Sequence, residues 1–223
     1  MSAAGDQRAV SIPAGEVTLE GALELPPQPD GVVVFSHGSG SGRLSPRNRH
    51  VASALHQLGL GTLLLDLLTA EEDLDRETRF DIRLLTARLG HAVRFVRQQA
   101  STRALPVGLF GASTGAASAL RVAATLPEDI GAVVSRGGRP DLAGDELLGR
   151  VNAPTLLIVG GLDSEVIMLN ESARDALTHC QCELEIVAGA THLFEEPGTL
   201  DQVAQLAGQW FSRHLRPHTR VHL

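Results

Sequence analysis

The sequence predicts an α/β domain with a mostly parallel central sheet and helices on both faces. Three features point to it: short apolar runs alternate with helix-like segments, the runs are apolar on both faces, and aromatic residues are scarce. Runs of that kind are what a parallel sheet covered by helices requires. With 3% aromatic content, one Trp and no Tyr, the core must be built mainly from Leu, Val, Ile and Ala, which favours packed layers. A chain of 223 residues, 43% hydrophobic and 20% charged, suits one domain, 1–223, around a single large core.

Taken in order, residues 9–12 and 17–25 read as an antiparallel opening pair with a turn at Pro13, Ala14 and Gly15. After the Pro26-Pro27 break come the runs 32–35, 62–66, 106–110, 132–135, 155–159 and 183–187. The stretch 77–99 is the clearest helix, because Leu85, Leu89, Ala92, Val93 and Val96 recur three and four residues apart. Arg83, Arg88, Arg94 and Arg97 take the rest of its surface and read as a solvated face. Between the runs ending at Ser135 and starting at Thr155 there is room for one short helix near 145–150, hence a minimal cap. No internal repeat, linker or low-complexity segment interrupts the pattern.

The formal charge of -7, with no basic cluster, argues against nucleic acid and anionic membranes as partners. Two cysteines, Cys180 and Cys182, are too few for a disulfide framework or a four-ligand zinc site and read as ordinary thiols. Neither a secretory leader nor a run of membrane-spanning length is legible, so a soluble, cytoplasmic protein is expected. No metal and no cofactor is implied.

The most informative segment is Gly111-Ala112-Ser113-Thr114-Gly115. A Gly-x-Ser-x-Gly match alone is weak, but here an apolar strand precedes it and small, helix-compatible residues follow. That is the strand, sharp turn and helix in which a serine is pushed out over a sheet as a nucleophile. The bland alternative is a serine that merely caps a helix. The N–H of Thr114, at the start of the following helix, is the natural first oxyanion donor. A second donor is expected from the loop Ser36-His37-Gly38-Ser39-Gly40-Ser41-Gly42-Arg43, with the N–H of Ser39 first and that of Gly40 next. His37 follows a strand directly and is expected to hold the loop by hydrogen bonds rather than to act as a base.

A serine nucleophile needs a base and an orienting acid, each in a loop after a later strand, in the chain order Ser, Asp or Glu, His. Of nine histidines, His50, His56 and His91 fall in presumed helices before Ser113, while His214, His218 and His222 belong to the last helix or tail. His179 precedes a strand. His192, in Gly189-Ala190-Thr191-His192, remains as general base. Asp163, in Gly160-Gly161-Leu162-Asp163, is the acid expected to orient it, with Asp141 as rival. Arg43, Arg136 and Arg139, with Arg47, either read a substrate carboxylate or phosphate or tie loops together.

These segments, spread over nearly the whole chain, resemble the dienelactone hydrolase-like branch of the α/β-hydrolases. The resemblance implies an α/β-hydrolase fold, a Ser or Cys, His, Asp triad and an exposed site. Dienelactone hydrolase proper carries cysteine at the turn where this sequence has Ser113, so the fold and triad carry over and the substrate does not. The expected function is serine-dependent hydrolysis of a small or compact carboxylic ester or lactone through an acyl-enzyme. Two alternatives stay open: an acyltransferase using the same triad, and a binding or accessory protein with a vestigial one.

Overall fold

The computed structural model describes residues 6–215. Its strands are β1 (Asp6–Ala14), β2 (Val17–Leu25), β3 (Gly31–Ser36), β4 (Leu60–Leu65), β5 (Val107–Ala112), β6 (Ile130–Arg136), β7 (Thr155–Gly160) and β8 (Cys182–Val187). All eight join one sheet in the order β1-β2-β4-β3-β5-β6-β7-β8. The expected antiparallel opening pair forms, but β1 runs on through Pro13 and Ala14, so the turn falls at Gly15 and Glu16; β2 is antiparallel to both β1 and β4, and every other pairing is parallel.

Helices cover both faces. On one side α1 (Pro46–Gln57) and α7 (Thr199–His214) close over Val33, Phe35, Phe110, Val134 and Ile158. On the other, α3 (Ile82–Gln98), α4 (Thr114–Thr125) and α6 (Ser164–Ala176) pack on Val32, Val34, Leu109, Val133 and Leu157. Each central strand therefore sends alternate side chains into two different cores, and β3, β5 and β7 are buried along their whole length. The edge strand β8 is mostly half-buried or exposed.

Two sequence expectations need correction. The stretch 77–99 is not one helix: α2 (Arg76–Arg79) stops at Phe80, and α3 starts anew at Ile82. The break has a local cause, since Asp75 caps α2 through the N–H of Thr78 at 3.0 Å and Asp81 caps α3 through the N–H of Leu84 at 3.0 Å. The arginine face is also not uniformly solvated. Arg88 is buried, donating to the Ala14 carbonyl at 3.2 Å and to Glu72 at 2.6 Å, while Arg97 donates to the carbonyls of Leu105 and Asp129. Arg83 and Arg94 are exposed, as expected.

Between β6 and β7 lie only a 3-10 turn at Pro140–Ala143 and the four-residue α5 (Asp145–Leu148), the minimal cap anticipated from the sequence. No described helix is long and apolar enough to cross a membrane.

The topology locates the site. From β3 the chain moves to β4 on one side and later returns to β5 on the other. Loops leaving the carboxyl ends of β3 and β5 thus diverge, and ligands of open α/β sheets bind in that crevice.

The break between α2 and α3 is testable through its cap. Asp81→Ala is expected to lower unfolding free energy by about 1 kcal/mol, read as a drop in Tm of about 2–4 °C. An unchanged melting curve would mean that Asp81 does not hold the start of α3.

Candidate active site

Strand β5 ends at Ala112 and α4 begins at Thr114, leaving one residue to turn the chain. That residue, Ser113, has φ 51° and ψ -122°, a conformation costing about 1–3 kcal/mol for a residue with a side chain. The turn works only with glycines on either side. A Cβ at Gly111 would lie 2.5 Å from the Ala116 Cα, and one at Gly115 would lie 2.1 Å from the Ser36 carbonyl oxygen. Small residues then let α4 sink against β3, where Ser118 Oγ and Ser36 Oγ meet at 2.7 Å in the buried interior.

Ser113 stands at the N-cap position of α4, yet its side chain makes no capping bond. The helix-cap alternative therefore fails. Its backbone is held from two sides, by its N–H to the Arg136 carbonyl at 3.2 Å and by the Arg139 N–H to its own carbonyl at 3.0 Å. The side chain stays half-buried with no hydrogen-bond partner among the described residues.

Asp163 follows β7 and His192 follows β8, and backbone bonds knit the two loops together. Gly161 N–H donates to the Val187 carbonyl at 2.8 Å and Leu162 N–H to the Ala190 carbonyl at 2.9 Å. Asp163 stands at the N-cap position of α6 without capping it. Its Oδ2 instead accepts from His192 Nδ1 at 2.6 Å, which fixes the tautomer that leaves Nε2 free as the basic nitrogen. Nε2 has no partner among the described residues. Asp141, the rival acid, is committed elsewhere, accepting from Arg139 at 2.9 and 2.7 Å.

Two anchors of the histidine loop were not foreseen. Phe194 adopts φ 55° and is buried in the core beneath α1 and α7. Glu196 accepts from Thr191 N–H at 3.0 Å and Thr191 Oγ1 at 2.6 Å. A strained aromatic two residues after a histidine has no distinctive sequence signal, and neither has the carboxylate that staples the turn.

The loop after β3 lies against the nucleophile. A Cβ on Gly38 would come 3.1 Å from the Ser113 Cβ. His37 holds this loop, as expected: it is buried, bonds the Gly38 carbonyl through Nδ1 at 2.9 Å and accepts the Leu67 N–H at Nε2, also at 2.9 Å. Burial pushes its pKa below the usual imidazole value, in keeping with a neutral, structural ring.

Thr114, first residue of α4, has an N–H with no acceptor inside the helix. The N–H of Ser39, by contrast, is not free: it donates to Thr114 Oγ1 at 3.0 Å. Thr114 thus adds a hydroxyl contact that the motif does not announce. The N–H of Gly40 has no partner among the described residues.

Of the arginines, Arg43 is tied to Asp66 through its N–H and its guanidinium, and Arg139 is tied to Asp141. Both fasten loops. Arg47 reaches Glu195 at 3.4 Å, whereas Arg136 is buried with no acid partner among the described residues. A cleft of about 460 Å³ opens beside the β3 loop, lined by His37, Arg43, Asp66, Leu68 and Asp73 among others, but neither Ser113 nor His192 lines it. Cys180 and Cys182 are free, and burial pushes both thiols up, Cys182 to about 12, so neither supplies a thiolate at neutral pH. Among the described residues no three His, Cys, Asp or Glu side chains are placed to hold a metal ion.

Known proteins share this architecture. The structure of a dienelactone hydrolase from Anabaena variabilis superposes with a TM-score of 0.92 and 54% identity, covering 95% of this chain and 99% of that one. Est1E from Butyrivibrio proteoclasticus shares the fold at 15% identity and a TM-score of 0.79, over 92% and 98% of the two chains. A Mycobacterium tuberculosis protein provisionally named a phosphoribosyl transferase is 56% identical over 206 residues, or 92% of this chain. The chain spans only 46% of that relative's length. The match to the dienelactone hydrolase family runs over residues 19–215, from β2 to the end of α7, and the chain belongs to that family.

Proposed function

We propose that the chain hydrolyses carboxylic esters or lactones through an acyl-enzyme on Ser113. The observation that carries this reading is the 2.6 Å bond from His192 Nδ1 to Asp163, formed by two loops that lie against the end of β6, where Gly137 approaches His192 and the Arg136 carbonyl accepts the N–H of the strained Ser113. Ser113 Oγ attacks the substrate carbonyl while His192 Nε2 takes its proton. The imidazolium that results is stabilised by Asp163. The tetrahedral oxyanion accepts from the Thr114 N–H and from a loop N–H, that of Ser39 once it is shared with or released from Thr114 Oγ1, or that of Gly40. His192 then returns the proton to the leaving oxygen. In the second half, water attacks the acyl-enzyme with His192 again as base, and the acid leaves as Ser113 regains its proton.

The 54% identical dienelactone hydrolase supports hydrolase chemistry in this chain. The transferase name attaches to proteins of which the matched stretch is 46%, so it does not assign that chemistry to this stretch.

Replacing Ser113 by Ala is expected to leave a folded protein that turns over an activated ester about three to six orders of magnitude more slowly. Near-wild-type activity would remove Ser113 from the mechanism.

Asp163→Asn is expected to lower turnover on the order of 10⁴-fold by leaving His192 in the wrong tautomer. Because Asp163 caps nothing, thermal stability should barely move. Asp141→Asn, which loosens only the Arg139 pair, should keep most activity; exchanged phenotypes would reassign the acid.

The minimal cap sets substrate size. Pro140–Ala143 and α5 supply too little chain to enclose a long acyl group, so kcat/KM across 4-nitrophenyl esters from acetate to palmitate should favour the short end. An optimum at palmitate would require an apolar tunnel, contrary to this reading.

A further inference from the structure

Of the four arginines weighed as substrate contacts, three have an acid. Arg43 pairs with Asp66, Arg139 with Asp141, and Arg47 with Glu195. Arg136 has none. Among the described residues its guanidinium makes no hydrogen bond or ion pair, and Nε and Nη1 are both buried without a partner. The residue is only 7% exposed. Burying an uncompensated charge is costly, and buried charges are ordinarily paired.

Its place in the fold connects it to the chemistry. Arg136 ends β6, opposite Ala112 of β5 and Ile158 of β7, and its carbonyl accepts the N–H of Ser113. Strand alternation puts its side chain on the face of Val134, the side covered by α1 and α7 and by Phe194 of the histidine loop. Arg47, near the start of α1, adds a second positive charge instead of relieving the first. Burial, and then Arg47, bring the Arg136 pKa down to about 10, which still leaves it protonated at neutral pH. A buried cation thus sits on the residue whose carbonyl holds the nucleophile's N–H, and no described residue supplies it a counter-charge.

We propose that Arg136 is a specificity-determining residue that binds an anionic group, carboxylate or phosphate, of the substrate whose carbonyl reaches Ser113. This rests on the ester-hydrolase reading for the reacting end of the substrate. The anion subsite itself stands on the solitary guanidinium. Arg43, Arg47 and Arg139, each paired with an acid, do not carry the discrimination.

The test compares two esters alike in chain and leaving group: the mono-4-nitrophenyl ester of adipic acid and its neutral methyl-capped counterpart. Wild type is expected to favour the anionic ester in kcat/KM by about 10- to 100-fold, the size of a charge-assisted hydrogen bond. In Arg136→Met that ratio should collapse to within about threefold of unity. A ratio near one in wild type, or one that survives in Arg136→Met, overturns the proposal. Adipate and inorganic phosphate, each at ionic strength matched with chloride, are then compared by thermal shift of the wild-type protein. The one that raises Tm identifies the anion, and no shift with either overturns the proposal without relying on a folded variant. The two readings fail separately. If no ester is turned over yet an anion raises the wild-type Tm, the ester reading falls and the subsite stands; if both esters are cleaved without preference, the reverse holds.

Discussion

At Ser113 the chain must leave a buried strand and enter a buried helix within one residue, with φ on the positive side. The strain is offset because α4 buries ten of its twelve residues, most of them small, against the sheet. Those small residues bring the helix start so close to β3 that the Ser36 carbonyl and the Gly115 backbone are nearly in contact. The loop after β3 is thereby forced across the turn, with Gly38 over the serine. On the other side the end of β6 is bonded to the serine's own peptide groups. Two loops meet at one residue because one turn leaves them no other course.

The histidine and its acid arrive from a separate part of the sheet, so their alignment depends on how β7 and β8 end. Backbone bonds between the two loops make a unit of them, and the buried Phe194 roots that unit in the core shared by α1 and α7. Asp163 is consequently spared from capping α6 and is left for His192. The same separation of duties holds elsewhere: His37 is spent on the Gly38 carbonyl and the Leu67 N–H, and Asp141 on Arg139.

What was legible in the sequence follows from that division. The alternation of strands and helices, and the order of Ser113, Asp163 and His192, could be read because each lies at a strand end, and strand ends are marked by where apolar runs stop. The helix break at Phe80 and Asp81 could not be read from periodicity, since the apolar spacing of α3 carries on without marking its first turn; only Asp81 as a cap signals it. Arg88 was misjudged because its burial depends on Glu72 and the Ala14 carbonyl, neither of which is near it in sequence. The Ser39 N–H was misjudged for a similar reason: its acceptor is a hydroxyl 75 residues away. Arg136 was singled out along with its neighbours, but only the three-dimensional pairing separates a solitary guanidinium from ones that tie loops.

The open cap and the solitary arginine bear on the same question. An acyl chain that remains in water gains little from added methylenes, which are worth about 0.8 kcal/mol each only when fully enclosed. Between β6 and β7 the site has only a short 3-10 turn and a four-residue helix as cover, too little chain to enclose an acyl group. A charged hydrogen bond to a pre-placed, poorly solvated guanidinium is worth roughly 1.5–3 kcal/mol, as much as two to four enclosed methylenes, and it needs no lid. If Arg136 takes an anionic substrate group as proposed, selectivity in such a site is governed by charge more than by chain length. On that proposal the cost of holding Arg136 unpaired is met in the complex, where the substrate would supply the missing acid, so that binding and orientation of the carbonyl toward Ser113 would draw on one interaction.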